Sequence, residues 1–307
     1  MIRSIAFRVA VLAILWLAHP ALAVEPLEER LRPLIEAHKG QVAVAVKHLK
    51  TGESFAYHAD DPMPTASLIK FPVMVEAYRQ AAEGMIDLEA MVTLKQGDKV
   101  PGSGILTYHF SEGACFPLKD AIHLMIVYSD NTATNLVLDA IGIGATAETM
   151  EKMGYPNTKL HAKVFRRETS VFPERSRQFG LGSTTANEMI RLCEALYREE
   201  LVSPEASRAM LAHMRACDDK DKFPRFLPPG TKVAFKTGSI DDAKTAAGII
   251  ESPAGPIALC VLTNKNEDKR WVTDNAGNRL CAEVARVVYD YFNPKPAAGE
   301  GQAESKP

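Results

Sequence analysis

Cysteine is sparse in this chain, five residues in 307, so a disulfide framework cannot be the main support of its fold. Neither sign of charge is in excess, because 36 Lys and Arg stand against 38 Asp and Glu. That balance gives no long-range field toward polyanions and sets aside nucleic acid and anionic membrane surfaces as partners. No apolar run after residue 18 is long and charge-free enough to span a bilayer, and no internal repeat is visible. What remains is ordinary globular composition, 46% hydrophobic and 24% charged. It supplies core for one large domain or two modest ones. A small molecule or a peptide is the ligand class this leaves.

The beginning of the chain reads as a secretory leader. Arg3 and Arg8 precede an apolar stretch from Val9 to Ala18, and Ala21-Leu22-Ala23 forms a small-residue cleavage signature before Val24. Ten apolar residues are too few for a hydrocarbon core that needs roughly 20, so the expectation is export to the periplasm or beyond, with no stable membrane anchor after cleavage. An uncleaved N-terminal anchor is the alternative. No Cys follows the cleavage point, so a lipid anchor is not indicated. Export would put Cys115, Cys193, Cys217, Cys260 and Cys281 in an oxidising space, where the odd number leaves at least one unpaired. Cys193 lies among Met189, Leu192 and Leu196 at helical spacing and reads as a buried thiol. Cys260 and Cys281 are candidates for a bridge.

Leu27, Leu31, Leu34 and Ile35 recur at helical spacing and predict an amphipathic helix from Pro26 to about Ala37, ended by Gly40. Two β-rich segments, Gln41–Leu49 and Ser54–His58, flank a Lys-Thr-Gly-Glu turn. From Ser67 to Cys217 the pattern is helical, over Leu68–Ala82, Leu118–Tyr128, Thr132–Ile141, Ala145–Met153, Thr185–Arg198 and Pro204–Arg215. A polar connector follows at 218–230. Strands return at Lys232–Ile240, Thr245–Ile250 and Ile257–Leu262, before a last helix at Ala276–Phe292. The order β, α, β predicts an α+β protein whose antiparallel sheet domain is discontinuous, 24–66 with 218–293, and encloses an all-α domain, 67–217. The site would lie between the two. Residues 1–23 are the leader, and residues 294–307 hold nothing to bury and read as a disordered tail.

Three constellations could carry chemistry. Ser67 and Lys70 stand three apart at a predicted helix start, which puts hydroxyl and ammonium on one face, roughly 5–6 Å apart at their Cβ atoms. A serine needs something to take its proton, and a lysine can do so when desolvation lowers its pKa. Phe71, Met74 and Tyr78 extend that face and point Lys70 toward apolar packing. The helix start also favours developing negative charge near Ser67. Pro72 removes an amide that would bond the Leu68 carbonyl and predicts a local distortion. An exposed helix pair is the plainer reading. The second constellation is Ser129-Asp130-Asn131 after an amphipathic helix; Leu118, Ile122, Met125 and Ser129 share a stripe that carries the hydroxyl inward. A cap for the next helix is the plainer reading there. The third is Lys236-Thr237-Gly238-Ser239 at the end of a strand, where Gly admits close approach of a ligand and Lys supplies positive charge, unless it is a surface turn.

Ser-x-x-Lys, Ser-Asp-Asn and Lys-Thr-Gly in this chain order form the motif set of class A β-lactamases and penicillin-binding proteins. Over nearly the whole mature chain the sequence resembles the class A β-lactamase-like serine hydrolases, most closely in LMIVYSDNTATNLVLDAIG (124–142) and VAFKTGS (233–239). The resemblance implies a β-lactamase/transpeptidase-like fold and a monomer acting on a β-lactam or a D-Ala-D-Ala-like peptide. It implies Ser67 as the acyl-forming nucleophile, Lys70 as proton acceptor or electrostatic partner, and Ser129 as the shuttle to the departing nitrogen. Asn131 would form the cleft wall, Lys236 would bias Ser129 and the substrate carboxylate, Thr237 would bind that carboxylate with Gly238 beside it, and the backbone amides of Ser67 and Ser239 would form the oxyanion hole. Asp130 would tie the helix junction. No cofactor and no metal are implied, and His38, His48, His58, His109, His123, His161 and His213 show no zinc-ligand spacing.

The resemblance fails in one loop. The family places there a glutamate that activates the water releasing the acyl-enzyme. Glu168 is the positional candidate, following Arg166 and Arg167, but the family's next Pro and the Asn four residues on are replaced by Thr169 and Phe172. The arginine–aspartate pair that closes the family's loop has no Asp here between His161 and Glu200, so Glu174 substitutes or the loop is held differently. Glu168 and Glu174 could also be solvated carboxylates beside the local arginines. Fast deacylation would make a β-lactamase, and slow deacylation a D,D-peptidase or other acyl-serine hydrolase. A Glu in the loop, and no anchor or further module beyond the leader, favour the first. A non-catalytic cell-wall ligand-binding protein is the third reading, opposed by three intact motifs.

Overall fold

The computed structural model describes residues 25–294, and the leader and tail expectations fall outside that range. Helix α1 (Leu27–Ala37) leads into β1 (Gln41–His48), β2 (Ser54–Tyr57) and the short β3 (Met63–Pro64). A 3₁₀ turn at Ala66–Ile69 then opens α2 (Lys70–Ala82). The helical part continues through β4 (Met91–Thr93), α3 (Leu106–His109), β5 (Cys115–Pro117), α4 (Leu118–Val127), α5 (Asn131–Ile141) and α6 (Ala145–Lys152). Next come β6 (Lys159–Leu160), α7 (Pro173–Phe179), β7 (Gly182–Thr184), α8 (Ala186–Tyr197) and α9 (Pro204–Arg215). The chain closes with β8 (Val233–Ile240), β9 (Ala243–Ile250), β10 (Ile257–Asn264) and α10 (Ala276–Phe292).

The main sheet runs β2-β1-β10-β9-β8 and is antiparallel throughout, so both ends of the chain build it. Alternation along its strands divides the core. Val42, Val44 and Val46 of β1, with Ile257, Leu259 and Val261 of β10, face α1 and α10. Ala43, Ala45, Ala258, Cys260 and Leu262 face the helical part. Small residues on that second face let α8 pack directly on β1, β9 and β10. The same alternation decides where β8 sends its functional side chain. Val233 and Phe235 belong to the α10 face, so Ala234 and Lys236 point to the helices.

This geometry removes one expectation. Cys260 packs on the helical side of the sheet and Cys281 on the α10 side, so a bridge between them would have to cross the sheet. All five cysteines are free, and Cys115 alone is exposed. The small sheets β3-β7-β6 and β4-β5 carried no alternation long enough to read from sequence. No described helix is long and apolar enough to cross a membrane.

Candidate active site

The site forms where α2 begins, where α4 gives way to α5, and along β8. Ser67 lies within the 3₁₀ turn, preceded by Ala66 at φ +46°, a conformation that non-glycine residues rarely adopt. The α-helix proper begins only at Lys70. Pro72 therefore falls in its first turn, where the missing amide had no helical partner to lose, so the distortion precedes the proline rather than following it. Thr245 Oγ1 donates to the Thr65 carbonyl at 2.8 Å and ties the turn to β9. Gly238 is indispensable there: a Cβ on it would lie 2.3 Å from the Thr65 carbonyl oxygen and 2.8 Å from the Ser67 amide.

Lys70 is completely buried. Its Nζ donates to the Ser129 carbonyl at 2.7 Å, to Asn131 Oδ1 at 2.8 Å and, more weakly, to Ser129 Oγ at 3.3 Å. Burial first, and then the charge of Lys236, hold its pKa well below the usual lysine value, with Asp130 opposing them in part. Lys236 Nζ, also buried, reaches Ser129 Oγ at 3.1 Å and its neighbour's carbonyl on Thr237 at 2.8 Å. Its pKa is pushed down to about 8, mainly by burial. Ser129 Oγ thus stands between two lysines. The inward stripe does not explain this position, because Ser129 lies past the end of α4 at φ +53°. A strained turn aims the hydroxyl, and the Ser129 carbonyl is further held by Ser103 Oγ at 2.7 Å.

Asp130 does what the cap reading required. One carboxylate oxygen accepts from the Ala133 amide, and the other from the amides of Ile105 and Leu106. Asn131 fixes its own amide by donating to the Pro101 carbonyl at 2.9 Å. Thr237 and Gly238 are brought to the cluster with Lys236, and Ser239 lies at its outer end. Sequence reasoning missed a third lysine here. Lys222, nearly buried, donates to Asp219 at 2.9 Å and to Ser239 Oγ at 3.2 Å. Burial raises the Asp219 pKa, but the Lys222 charge and the hydrogen bonds of Lys222 and Thr237 more than offset it and leave a carboxylate. Nothing in the run Asp218-Asp219-Lys220-Asp221-Lys222 distinguishes the inward lysine from the outward one.

Glu168 does not join this cluster. It sits exposed in a 3₁₀ turn at Arg167–Thr169, and among the described residues its side chain makes no hydrogen bond or ion pair. Glu174 pairs with Arg177 on the surface and does not close the loop either. The neck is held instead by His161, whose Nδ1 lies 2.9 Å from the Gly180 carbonyl and whose Nε2 lies 3.2 Å from Ser183 Oγ. Burial, opposed only in part by the Gly180 bond, lowers its pKa to about 4, so the ring is neutral near pH 7. Arg175 donates to the same Ser183 hydroxyl at 2.7 Å. Of the other histidines, His123 and His213 meet at 2.9 Å, with Tyr78 on His213. Among the described residues no three side chains are grouped as a metal site.

A buried lysine beside a serine at a strained helix start, and a second serine bridged to a lysine on the facing strand, define a serine acyl-transfer enzyme. A family model described as the beta-lactamase enzyme family matches residues 26–292, and the chain belongs to that family. A beta-lactamase of Bacillus licheniformis is 25% identical over 271 residues, 87% of this chain and 84% of that protein. The crystal structure of a beta-lactamase from Sphaerobacter thermophilus superposes with a TM-score of 0.77 at 28% identity, covering 88% of this chain and 99% of that one. A variant of PBP-A, solved as an acyl-enzyme complex with penicillin G, shares the fold with a TM-score of 0.75 at 24% identity, over 87% and 96% of the two chains.

Proposed function

We propose that this protein is a serine β-lactamase that opens the lactam amide through an ester on Ser67. The observation that carries this reading is the buried chain Lys70–Ser129–Lys236 beside the Ser67 turn. With its pKa depressed, Lys70 is able to take the Ser67 proton as Oγ attacks the lactam carbonyl. The amides of Ser67 and Ser239 stabilise the oxyanion, and the close approach of Gly238, which precedes Ser239, to the Ser67 amide supports that pairing. Ser129 passes a proton to the departing nitrogen, and Lys70 and Lys236 polarise its hydroxyl. Lys236, Thr237 and Ser239, with Lys222 behind Ser239, receive the substrate carboxylate. Asn131 orients Lys70 and lines the cleft.

The site is complete within one chain, which supports action as a monomer, and the charged, apolar and small-residue pattern of residues 1–23 supports export. The test is steady-state hydrolysis of a chromogenic cephalosporin by the purified protein and its Ser67→Ala variant. Sustained ring opening that falls by at least about 10³-fold in the variant is the expected result. Equal turnover in a variant with unchanged circular dichroism would remove Ser67 from the chemistry.

A further inference from the structure

Beyond Ser239 the strand ends in a hairpin whose surroundings the chemistry above does not use. Alternation from Val233 and Phe235 puts Thr237 and Ser239 on the α10 face of β8. Lys244 of β9 is the register partner of Ser239 and shares that face; a Cβ on Gly277 of α10 would lie 2.7 Å from its Cγ. Lys244 Nζ turns back along the hairpin. It donates to the Ile240 carbonyl at 2.6 Å and stands 4.5 Å from the centre of the Trp271 ring. The indole N–H donates to Asp241 at 2.7 Å. Trp271 is thus fixed against the two residues that follow Ser239, whose hydroxyl Lys222 backs at 3.2 Å.

The segment that carries this ring is held from both ends. Buried Asn275 donates to the carbonyls of Asp268 and Arg270, both at 2.9 Å, and Arg225 donates to the Thr273 carbonyl at 2.9 Å and to Asp274 at 2.6 Å. Yet Trp271 is 65% exposed, and Val272 and Ile240 are exposed as well. Its N–H and one face are engaged, so the other face is what solvent meets. A bare indole costs hydration free energy that folding does not recover, while its fixed orientation spares a flat group stacking on it the entropy of ordering.

Resting on the β-lactamase reading, we propose that Trp271 is a specificity-determining residue that stacks on a planar ring carried next to the substrate carboxylate. The favoured substrates are then cephalosporin-like bicyclic lactams with an aromatic or heteroaromatic group on C3. Substrate connectivity selects that position. In a cephalosporin the C4 carboxylate adjoins the C3 substituent, whereas the acylamino group lies across the bicycle on C7. With the carboxylate at Thr237 and Ser239, the C3 group is the neighbour of Ile240 and Trp271. Lys244 on the inner face of the indole, with Lys222 close by, makes a neutral ring a better guest than a cationic one.

The experiment compares kcat/KM for two cephalosporins with the same C7 side chain, one bearing a neutral heteroaromatic ring on C3 and the other a methyl group. The ratio of the two, ring over methyl, should fall by about fivefold to tenfold in Trp271→Ala, and Trp271→Phe, which restores a ring, should recover at least half of the preference. A binding readout accompanies it. Trp16 and Trp271 are the two tryptophans of the chain, and protein beginning at Val24 keeps only the second. In its Ser67→Ala variant, indole fluorescence should be quenched by the ring-bearing compound and not by the methyl compound. A ratio unchanged in Trp271→Ala, or equal quenching by both compounds, overturns the proposal while leaving the β-lactamase reading in place. Ring opening of neither compound by the native protein overturns that reading and the proposal with it.

Discussion

Lys70 and Lys236 illustrate how function is installed one residue at a time at the expense of stability. Each is a buried amine without a carboxylate in hydrogen-bond contact, so its charged form is disfavoured, and its neighbours supply only hydroxyl, amide and carbonyl oxygens. Burying such a charge is unfavourable. Lys70→Met should therefore stabilise the protein by about 2 kcal/mol while abolishing acylation, to be read from urea unfolding; a lower midpoint would show that the polar network outweighs the desolvation. For Lys236 the folded pKa of about 8 lies below the ordinary lysine value. The folded protein releases its proton first, so folding stability rises with pH between about 8 and 10.5. Substrate binding moves the opposite way. kcat/KM for an anionic β-lactam should fall as pH rises through about 8, and a flat profile to pH 9.5 would deny Lys236 its role at the carboxylate. Lys70 was legible in the sequence because Ser-x-x-Lys sets it on the face of Ser67, and Lys236 because Lys-Thr-Gly ends a β-rich strand, although its inward direction follows only from the alternation seen in the folded sheet. Lys222 was not, since its inward turn depends on Asp219 and Ser239, which only the folded chain brings near.

At the scale of elements, α2 and the loop after α6 divide the work of holding the site. Glu76, fully buried on α2, accepts two hydrogen bonds from Arg79 and one from Gln80, and Gln80 also donates to the Ile141 carbonyl at the end of α5. Burial raises the Glu76 pKa, but these donors outweigh it and leave it below the ordinary value. Its contribution is therefore present above about pH 4.5 and lost as pH falls through the depressed folded value. Glu76→Ala should cost about 2–3 kcal/mol, discounted because Arg79 is partly solvated, and an unchanged midpoint at pH 7 would contradict this. The loop clasp at His161 has its own pH window. Its folded pKa of about 4 is below the ordinary 6.5, so the opened form binds the proton more readily and closure weakens as pH falls from about 6.5 toward 4. Hydrogen-exchange protection of amides 161–181 should drop relative to β9 between pH 7 and pH 5, and parallel protection in both would exclude a histidine clasp. Sequence reasoning sought an ion pair in this loop because charges are its visible feature. A neutral ring bonded to a backbone carbonyl and a hydroxyl leaves no such mark, whereas the longer helices and strands announced themselves by period to within a few residues.

The whole molecule is stitched from its two ends, with β1 pairing β10 from Gln41↔Asn264 to His48↔Ile257. That pairing brings α1 and α10 onto one face of the sheet and leaves the other face for the helical part, with the site at their junction. A chain ending before Ala276 would expose the apolar face now covered by α10 and should be recovered as aggregate. Its five free thiols give a second check on the assembly: one, Cys115, should react rapidly with a thiol reagent in the native state, and all five only after unfolding. Two native fast thiols would mean that the sheet faces are assigned wrongly. The most direct test of the central claim is to quench the protein during turnover of a cephalosporin, digest it and locate the added mass by peptide sequencing. An opened-lactam adduct on Ser67, formed within the first turnover and followed by continued hydrolysis, is the predicted result. Turnover with Ser67 unmodified, or an adduct carried by another residue, would contradict it.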